Sequence, residues 1–369
     1  MRKILFLILL FGGAVFIFKD RAQRQFFKPN DTTPQSASEI KTDTGKDVEV
    51  VLQDLDIPWE VVFLPGGEML ITERPGSLLL INKDKRTRIS VEGVRHKGEG
   101  GLLGMALHPR FAENSWVYLY STGGQGPTLS NRVERYKLSG TTLSERKVIL
   151  ENIPGTANHD GGRIVFGSDE MLYVATGDAE NPQSAQDTNS LNGKILRVTD
   201  DGSIPGDNPF GNAVYSYGHR NVQGLAWDNS GQLWATEHGP SGTQTGNDEL
   251  NKIEKGKNYG WPDSKGTTVK EGTVGPVIES GKNATWAPSG VTILGNIIYF
   301  AGLRGEAVYV YSIVNKVLST KLKSEYGRLR TIVKGPDGSF YILTNNTDGR
   351  GEPKDNDDKL IRIDPKVFE

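Results

Sequence analysis

A tight polar turn separates two short apolar runs in the stretch Ile164-Val165-Phe166-Gly167-Ser168-Asp169-Glu170-Met171-Leu172-Tyr173-Val174-Ala175. Short apolar runs on either side of a Gly, Asn or Asp turn predict two antiparallel strands joined as a hairpin. The pattern recurs five more times, with turns at Gly66-Gly67, Glu113-Asn114, Ser230-Gly231, Gly295-Asn296 and Asp337-Gly338. The chain is therefore predicted to repeat one β unit.

The spacing of these turns predicts a β-propeller. The turns fall roughly fifty residues apart over about 320 residues, which is a period expected of propeller blades. Further short strands follow in several copies, as at Ser77-Leu78-Leu79-Leu80-Ile81, so six four-stranded blades fit the chain. The alternating segment Val48-Glu49-Val50-Val51-Leu52 can complete the last blade and close the ring. Two stacked β domains would need a linker near the middle, and the sequence contains none. We predict an all-β, six-bladed β-propeller over residues 47–369.

The composition agrees with a turn-rich β protein and excludes several kinds of site. The chain has 45 Gly among 369 residues, about 12% against an average of roughly 7%. It has no Cys, which excludes disulfides, zinc–thiolate sites, iron–sulfur clusters and thiol nucleophiles. The net charge is −2, and acidic and basic residues are mixed along the chain. This distribution lacks the broad excess of positive charge that is typical of nucleic-acid binding. Any metal must be held by oxygen or imidazole.

The N-terminus has the pattern of an export signal. Met1-Arg2-Lys3 is basic, and an apolar run follows from Ile4 to Phe18. The run has no small-residue cleavage site and is short for a full span of about twenty residues. Residues 1–18 are thus predicted to be a signal peptide or an uncleaved membrane anchor. The polar residues 19–46 are predicted to form a disordered tether, which leads to an exported, periplasmic or otherwise extracytoplasmic domain.

His159 is the main candidate for chemistry. It lies in Asn158-His159-Asp160-Gly161-Gly162-Arg163, where a loop enters a strand, and the glycines allow a close approach to the backbone. Alone, this pattern is more often a solvated turn. In a propeller, however, loops from every blade meet at one end of the central channel. Residues far apart in sequence can therefore line one pocket with His159.

A series of loop motifs accompanies His159. They are Gly98-Glu99-Gly100-Gly101, Gly218-His219-Arg220-Asn221, Glu237-His238-Gly239-Pro240, Asn247-Asp248-Glu249, Asn258-Tyr259-Gly260-Trp261-Pro262, Thr285-Trp286-Ala287-Pro288 and Gly327-Arg328-Leu329-Arg330. In this order, from about Leu55 to Asp364, the chain resembles the soluble sugar dehydrogenases that depend on pyrroloquinoline quinone (PQQ). The resemblance implies a six-bladed propeller that oxidises aldose sugars at C1 to lactones.

The resemblance also implies roles for individual residues. His159 corresponds to the family's catalytic base, which takes the proton of the C1 hydroxyl while hydride passes to the C5 carbonyl of PQQ. A His near its ordinary pKa suits that task. The residues implied to contact the three PQQ carboxylates and the rest of the cofactor are Arg220, Asn221, Thr285, Arg304, Arg328 and Arg330. Arg328 and Arg330 are two apart on a predicted strand and therefore share a face.

Three positions depart from the pattern of soluble glucose dehydrogenase. Glu99 stands where that enzyme has a Gln, and Asn158 stands where it has an Asp. Both are expected at the cofactor site. Arg304 falls where that enzyme uses a Lys. The changes at Glu99 and Asn158 bear on which sugar is preferred and leave the redox residues intact.

Calcium is the metal that the resemblance implies. Carbonyl and carboxylate oxygens suit Ca²⁺, and the main-chain carbonyls of Gly239 and Pro240 would hold the ion that polarises PQQ. A second ion would use Glu249 and the carbonyl of Tyr259. The acidic run Asp355-Asn356-Asp357-Asp358 is instead interpreted as a solvated loop.

Two other functions remain open on the residues alone. One is a carbohydrate-binding propeller that does no redox chemistry, and the other is a calcium-dependent lactonase. A lactonase would need a carboxylate-rich metal site at the channel mouth, whereas the loops offer Arg, Asn, Thr and one His. The predicted partners are a small aldose and an electron acceptor that the sequence does not identify.

Overall fold

The computed structural model describes residues 47–83, 85–240 and 246–369. Its strands form six four-stranded antiparallel sheets, so the predicted six-bladed propeller is confirmed. The predicted signal or anchor at residues 1–18 and the tether at 19–46 lie outside the described residues. Within the described part of the chain, no helix has the length and apolar character needed to cross a membrane.

Each blade uses four strands, and strands of one blade are consecutive in sequence except in the last. Blade 1 contains β2 (Pro58–Phe63), β3 (Met69–Glu73), β4 (Ser77–Asn82) and β5 (Lys85–Ser90). Blade 2 contains β6 (Leu102–Leu107), β7 (Trp116–Gly123), β8 (Leu129–Ser139) and β9 (Thr142–Gly155). Blade 3 contains β10 (Ile164–Phe166), β11 (Leu172–Ala175), β12 (Lys194–Val198) and β13 (Val214–Tyr217).

The second half of the ring repeats this arrangement. Blade 4 contains β14 (Val222–Trp227), β15 (Leu233–Glu237), β16 (Glu249–Ile253) and β17 (Ile278–Glu279). Blade 5 contains β18 (Pro288–Leu294), β19 (Ile297–Gly302), β20 (Ala307–Ser312) and β21 (Val317–Lys321). Blade 6 contains β22 (Leu329–Lys334), β23 (Phe340–Thr344), β24 (Leu360–Ile363) and β1 (Val48–Leu52).

The ring closes through β1, the first strand of the described residues. β1 pairs antiparallel with β24, with Val48 opposite Ile363 and Val50 opposite Ile361. The first strand of each blade packs against the first strand of the next, and β2 packs against β22. This closure leaves no long edge strand at the junction between the chain ends, as the alternation at residues 48–52 predicts.

The apolar cores lie between adjacent blades. The described residues form six clusters of buried side chains, one at each blade junction. At the junction of blades 5 and 6, for example, Leu329, Phe340 and Ile361 are fully buried. The inner strands of each blade thus present alternate side chains to two neighbouring blades, which explains why they appear as nearly continuous apolar runs in the sequence. Outermost strands such as β5 and β9 are largely exposed.

The hairpin turns show why the repeat has its Gly residues. Gly231 and Gly338 have φ values of 79° and 84°, in the region that favours Gly. The predicted turn at Glu113-Asn114 differs, because it forms the end of a short helix, α1 (Phe111–Asn114). The extra residues between β6 and β7 give room for that helical turn.

The acidic run near the C-terminus is only partly a solvated loop. Asp355 is exposed, but Asp358 is fully buried. The Asp358 carboxylate accepts hydrogen bonds from the Asn346 amide at 2.5 Å and from the hydroxyls of Thr344 and Thr347 at 3.0 and 2.6 Å. The interpretation as a solvated loop is wrong for Asp358, because these donors stabilise its buried carboxylate.

Candidate active site

A cavity of about 570 Å³, a volume that includes space open to solvent, lies where the loops that lead into blades 2 to 6 meet. Nine of the residues predicted from sequence line it, namely Glu99, His159, Arg220, Gly239, Pro240, Thr285, Arg304, Arg328 and Arg330. The other described residues of the lining are Gln223, His238, Asp248, Ala287, Leu303 and Arg350. The fold therefore brings His159 and the predicted arginines to one cavity.

His159 is held on both sides of its ring. Its Nδ1 lies 2.8 Å from Oδ1 of Asp178, and its Nε2 lies 2.8 Å from Nη2 of Arg220. A guanidinium can only donate, so Nε2 is the acceptor and a neutral ring carries its proton on Nδ1, toward Asp178. The side chain is 16% exposed. An imidazole in this state has a lone pair on Nε2 that can take a proton.

The backbone of His159 is also constrained. Its φ is 60°, a conformation that costs energy for a residue with a Cβ. The His159 amide donates to Oε2 of Glu99 at 2.8 Å, and its carbonyl accepts from the Ala179 amide. A Cβ at Gly177 would lie 1.8 Å from that carbonyl oxygen, so this position requires glycine.

Asp178 is a buried carboxylate that the sequence reading missed. Oδ1 accepts from the Glu180 amide at 2.9 Å in addition to facing His159, and Oδ2 accepts from Nε1 of Trp261 at 2.8 Å. These bonds fix the plane of the carboxylate toward the imidazole. The indole of Trp261 in the predicted Gly-Trp-Pro turn therefore supports the His159–Asp178 pair.

The cavity wall is cationic. Five arginines and two carboxylates line it, Arg220, Arg304, Arg328, Arg330 and Arg350 against Glu99 and Asp248. Burial lowers the pKa of Arg330 well below its usual value, and repulsion from Arg74 and Arg328 adds to this effect. Burial likewise lowers the pKa of Arg220 and of Arg304. An anion in the cavity would offset this accumulated positive charge.

Arg330 illustrates that imbalance most clearly. Its hydrogen bonds run to neutral acceptors, the side-chain oxygens of Gln223 at 2.7 Å and Asn345 at 2.7 Å. Arg328, by contrast, pairs with the buried Asp348 at 3.1 Å. Both line the cavity, in agreement with the prediction that they share a face.

Asp248 organises the part of the wall that contains Gly239, Pro240 and Thr285. Its Oδ1 accepts from the Gly239 amide at 2.8 Å, and its Oδ2 accepts from the Thr285 hydroxyl at 2.6 Å. The amides of Trp286 and Ala287 also donate to Oδ2. In this arrangement the Thr285 hydroxyl donates to Asp248, so toward a ligand its oxygen can act as an acceptor.

Two predicted cofactor residues lie beside the cavity rather than in its lining. Asn221 is fully buried; its Oδ1 accepts from the Gly161 amide at 3.0 Å, and its Nδ2 lies 3.4 Å from Oε2 of Glu99. Asn158 donates to Glu180 at 3.1 Å and accepts from Nη2 of Arg350 at 2.7 Å. Both connect the loops that surround His159.

Glu249 and Tyr259, the predicted ligands of a second calcium, lie outside the cavity lining. Glu249 stands opposite Glu237 on one neighbouring strand and Glu279 on the other. Burial and the negative charge of Glu237 raise the pKa of Glu249 to about 8. Oε2 of Glu279 is buried and has no hydrogen-bond partner among the described residues. Tyr259 stacks on His219, with ring centroids 4.6 Å apart.

Comparison with known proteins agrees with this geometry. The glucose/sorbosone dehydrogenase family matches residues 55–362. The chain belongs to this family. It is 33% identical to the aldose sugar dehydrogenase YliI of Escherichia coli, over 86% of this chain and 93% of that protein. It is 32% identical to quinoprotein glucose dehydrogenase B of Acinetobacter calcoaceticus, over 63% of this chain and 56% of that protein.

Structural comparison gives the same family. The PQQ-bound form of the aldose sugar dehydrogenase from Streptomyces coelicolor superposes with a TM-score of 0.78 and 39% identity, covering 86% of this chain and 97% of that one. The predicted family is therefore confirmed, and with it the class of sugar dehydrogenases. The roles assigned to individual residues stay predictions.

In this member of the glucose/sorbosone dehydrogenase family, Asp178 and Arg350 contact the predicted site residues directly but carry no recognisable motif. Asp178 follows β11 in Gly177-Asp178-Ala179-Glu180, which resembles an ordinary polar turn. Arg350 lies in Asp348-Gly349-Arg350-Gly351, between β23 and β24. The only signal for Arg350 was its place in a loop of the sixth blade, which already supplied Arg328 and Arg330 to the predicted site.

Proposed function

We propose that this protein is a PQQ-dependent aldose dehydrogenase that oxidises the C1 hydroxyl of a sugar to a lactone, with His159 as the general base. The observation that carries the proposal is the acceptor Nε2 of His159, which is paired through Nδ1 with Asp178 and lines an arginine-rich cavity. The family and its named relatives support the same activity.

The residues of the cavity fit a planar tricarboxylate such as PQQ. Arg220, Arg304, Arg328 and Arg330 would hold its carboxylates, since guanidinium and carboxylate groups pair through charge-assisted hydrogen bonds. His238 also lines this cavity. Its buried Nε2 has no hydrogen-bond partner among the described residues. Thr285 and Asn221 complete the set of residues that we assign to the cofactor.

PQQ, when bound, supplies the electrophilic carbonyl that accepts the hydride from the sugar. The protein's own part is to orient the sugar and move one proton. The C1 hydroxyl gives its proton to Nε2 of His159 as the C1–H bond breaks and the C1=O bond of the lactone forms. The Asp178 carboxylate stabilises the imidazolium that results, because it accepts the Nδ1 proton in a buried site.

Arg220 also contacts His159, the proposed base. Its Nη2 donates to Nε2 of His159 at 2.8 Å. A sugar hydroxyl that donates to Nε2 must share or displace this bond. We propose that anchoring of Arg220 by a cofactor carboxylate releases Nε2 for the sugar, so that the base acts only when the cofactor is present.

Calcium ions would complete the site at two places. Gly239 and Pro240 line the cavity, and an ion held by their main-chain carbonyls would polarise the cofactor. Glu249 and the carbonyl of Tyr259 would hold a second ion. The raised pKa of the buried Glu249 fits that role, because a divalent cation would compensate its charge and that of Glu237.

The lactonase and the non-redox sugar-binding protein are less well supported. A calcium-dependent lactonase needs a cluster of carboxylates at the mouth, and the described lining has two carboxylates among fifteen residues. No group of three or more His, Asp or Glu residues in the described chain is arranged to hold a metal. A binding module would not need the His159–Asp178 pair.

Residues 1–18 and 19–46 complete the proposal on the basis of sequence alone. We propose that the first segment directs export and that the second links it to the propeller. A membrane attachment would then place the enzyme on the extracytoplasmic side. Separation of the cells into membrane and soluble fractions tests whether the protein is attached to the membrane. N-terminal sequencing of the protein tests whether residues 1–18 have been removed.

Reconstitution tests the proposed activity. Apoprotein supplied with PQQ and Ca²⁺ should bleach an artificial electron-acceptor dye when an aldose is added, and should not when PQQ is omitted. A panel of mono- and disaccharides then defines the substrates. The His159→Ala variant should bind PQQ and lose turnover by about 10²- to 10⁴-fold, the usual contribution of a general base. Full turnover in that variant would remove His159 as the base.

A further inference from the structure

Arg350 connects three loops that are far apart in sequence. It lies between β23 and β24 of blade 6, and its Nη1 is 2.5 Å from Oε1 of Glu99, which precedes blade 2. Its Nη2 is 2.7 Å from Oδ1 of Asn158, which precedes blade 3. Arg350 and Glu99 both line the cavity, and Asn158 is the residue before His159. The bridge therefore lies beside the proposed base.

Glu99 links Arg350 to the backbone of His159. One carboxylate oxygen faces Arg350, and the other accepts from the backbone amide of His159 at 2.8 Å. Burial would raise the pKa of Glu99, but the positive charge of Arg350 and the hydrogen bond from the His159 amide help to hold it well below the usual value. The strained positive φ of His159 is thus held by a carboxylate whose position depends on Arg350.

Arg350 is itself fixed by its own loop. Its backbone amide donates to Oδ1 of Asp348 at 2.9 Å, and Oδ2 of Asp348 pairs with Arg328 at 3.1 Å. Arg328 and Asp348 have side chains that are 5% and 1% exposed. The loop that carries Arg350 is therefore anchored to a buried ion pair of the same blade.

We infer that Arg350 is a positioning and specificity-determining residue, which fixes the loop of the base through Glu99 and Asn158 and presents N–H donors to the sugar. This inference rests on the proposed function. The side-chain oxygens of Glu99 and Asn158 that could accept from a sugar hydroxyl are turned toward Arg350. The wall next to His159 is consequently rich in donors and selects aldoses by the hydroxyl oxygens near C1.

The test compares Arg350→Gln and Arg350→Lys with a matched control, Arg362→Ala. Arg362 is on the same blade and pairs with a carboxylate, Asp337, at 2.7 Å, but it does not line the cavity. kcat and KM are measured with glucose and mannose, which differ only at C2. We expect kcat/KM for glucose to fall about 10- to 100-fold in Arg350→Gln, the scale of a misplaced reacting group. Arg350→Lys should recover part of the loss.

Selectivity distinguishes this role from a structural one. The ratio of kcat/KM for glucose and mannose should change by about tenfold in Arg350→Gln, because a released Glu99 carboxylate would add an acceptor. A general loss of stability would lower both values equally. An unchanged ratio, with kcat/KM as in the wild type or lowered equally for both sugars, would overturn the inference.

A measurement on the apoprotein separates this inference from the proposed function. Hydrogen exchange of the His159 amide should become faster in Arg350→Gln and stay as in the wild type in Arg362→Ala, because Glu99 accepts that amide. Wild-type exchange in Arg350→Gln would contradict the positioning role. If the proposed function were wrong, the wild type would fail to oxidise any aldose with PQQ, whereas the exchange result would still stand.

Discussion

Nδ1 of His159 lies 2.8 Å from Oδ1 of Asp178, and the same carboxylate accepts from the indole of Trp261 through its other oxygen at 2.8 Å. One buried carboxylate thus forms a hydrogen bond with the imidazole and is fixed by a second hydrogen bond from an aromatic residue of the next blade. Because the Asp178 side chain is 1% exposed, water does not compete for it. The pair determines which nitrogen of His159 faces the cavity.

The Asp178→Asn variant should lower kcat strongly. An amide can donate to Nδ1 of His159, which would favour the tautomer with the proton on Nε2 and leave no base toward the sugar. We expect kcat to fall about 10²- to 10⁴-fold, since a comparable change in the Ser-His-Asp triad costs about 10⁴-fold. Steady-state kinetics with reconstituted enzyme measures the effect, and a titration should give nearly wild-type affinity for PQQ.

The control for this variant is Asp337→Asn. Asp337 is also a paired aspartate, bonded to Arg362 at 2.7 Å, but it lies on the outside of blade 6. Its replacement should leave kcat within about twofold of wild type, as expected for a partly exposed pair. Wild-type kcat in Asp178→Asn would show that the carboxylate has no role in setting the tautomer of His159.

The fold could be predicted from the sequence alone because the sequence patterns that indicate it are local. Each hairpin is marked by its own turn and apolar runs, and the period of these hairpins indicates blades. The match of Val48–Leu52 to the last blade also follows from a simple alternation. The prediction that Asp358 is solvated was wrong because its carboxylate is buried by contacts with Thr344, Asn346 and Thr347 of the preceding loop, which donate hydrogen bonds to it.

The site was predictable only where residues carry a motif. His159 and the arginines were found through ordered motifs that resemble a family. Asp178 and Arg350 have no such motif around them, and their partners are 19 residues away in the first case and 251 residues away for the bond between Arg350 and Glu99. The contact between His159 and Asp178 forms only when β10 and β11 pair, and the contact between Arg350 and Glu99 forms only when the ring closes. No local sequence pattern indicates either contact.

Arg330→Ala should weaken PQQ binding more than it slows the chemical step. Arg330 is buried and bonds to the neutral side chains of Gln223 and Asn345, so its charge is available to a cofactor carboxylate. Loss of a charge-assisted hydrogen bond costs about 1.5–3 kcal/mol, or about 10- to 150-fold in Kd. Titration of apoprotein with PQQ measures this, with Arg362→Ala as control. An unchanged Kd would exclude Arg330 from cofactor binding.

Calcium should stabilise the apoprotein through Glu249. If Glu249 holds an ion next to Glu237, Ca²⁺ should raise Tm and a chelator should reverse the effect, since a ligand that binds the folded state stabilises it. The Glu249→Gln variant should lose most of this response. Differential scanning calorimetry with and without Ca²⁺ provides the measurement, and Glu254→Gln, an exposed neighbour, is the control. Equal responses in wild type and Glu249→Gln would place the ion elsewhere.

Stability should fall as pH rises through the range in which Asp160 ionises. Burial raises the pKa of Asp160 to about 7, although Asn131 and the Thr156 amide donate to its Oδ1. Oδ2 is buried without a hydrogen-bond partner among the described residues. Because the folded-state pKa lies above the ordinary value of 3.8, the protonated carboxyl favours the folded state. That contribution is complete below about pH 4 and is lost as pH approaches and passes 7.

The expected loss is on the order of 4 kcal/mol by linkage, as an upper bound. Chemical unfolding at pH values from 4.5 to 8 should therefore show the free energy of unfolding falling toward pH 7 and levelling above it. Asp160→Asn resembles the protonated carboxyl and keeps an oxygen for Asn131 and Thr156, so its stability should vary less over the same range. The surface variant Asp337→Asn should retain the wild-type slope between pH 4.5 and 7. If Asp160→Asn showed that same slope, the carboxyl would be ionised throughout, and the environment of Oδ2 would have to supply a donor.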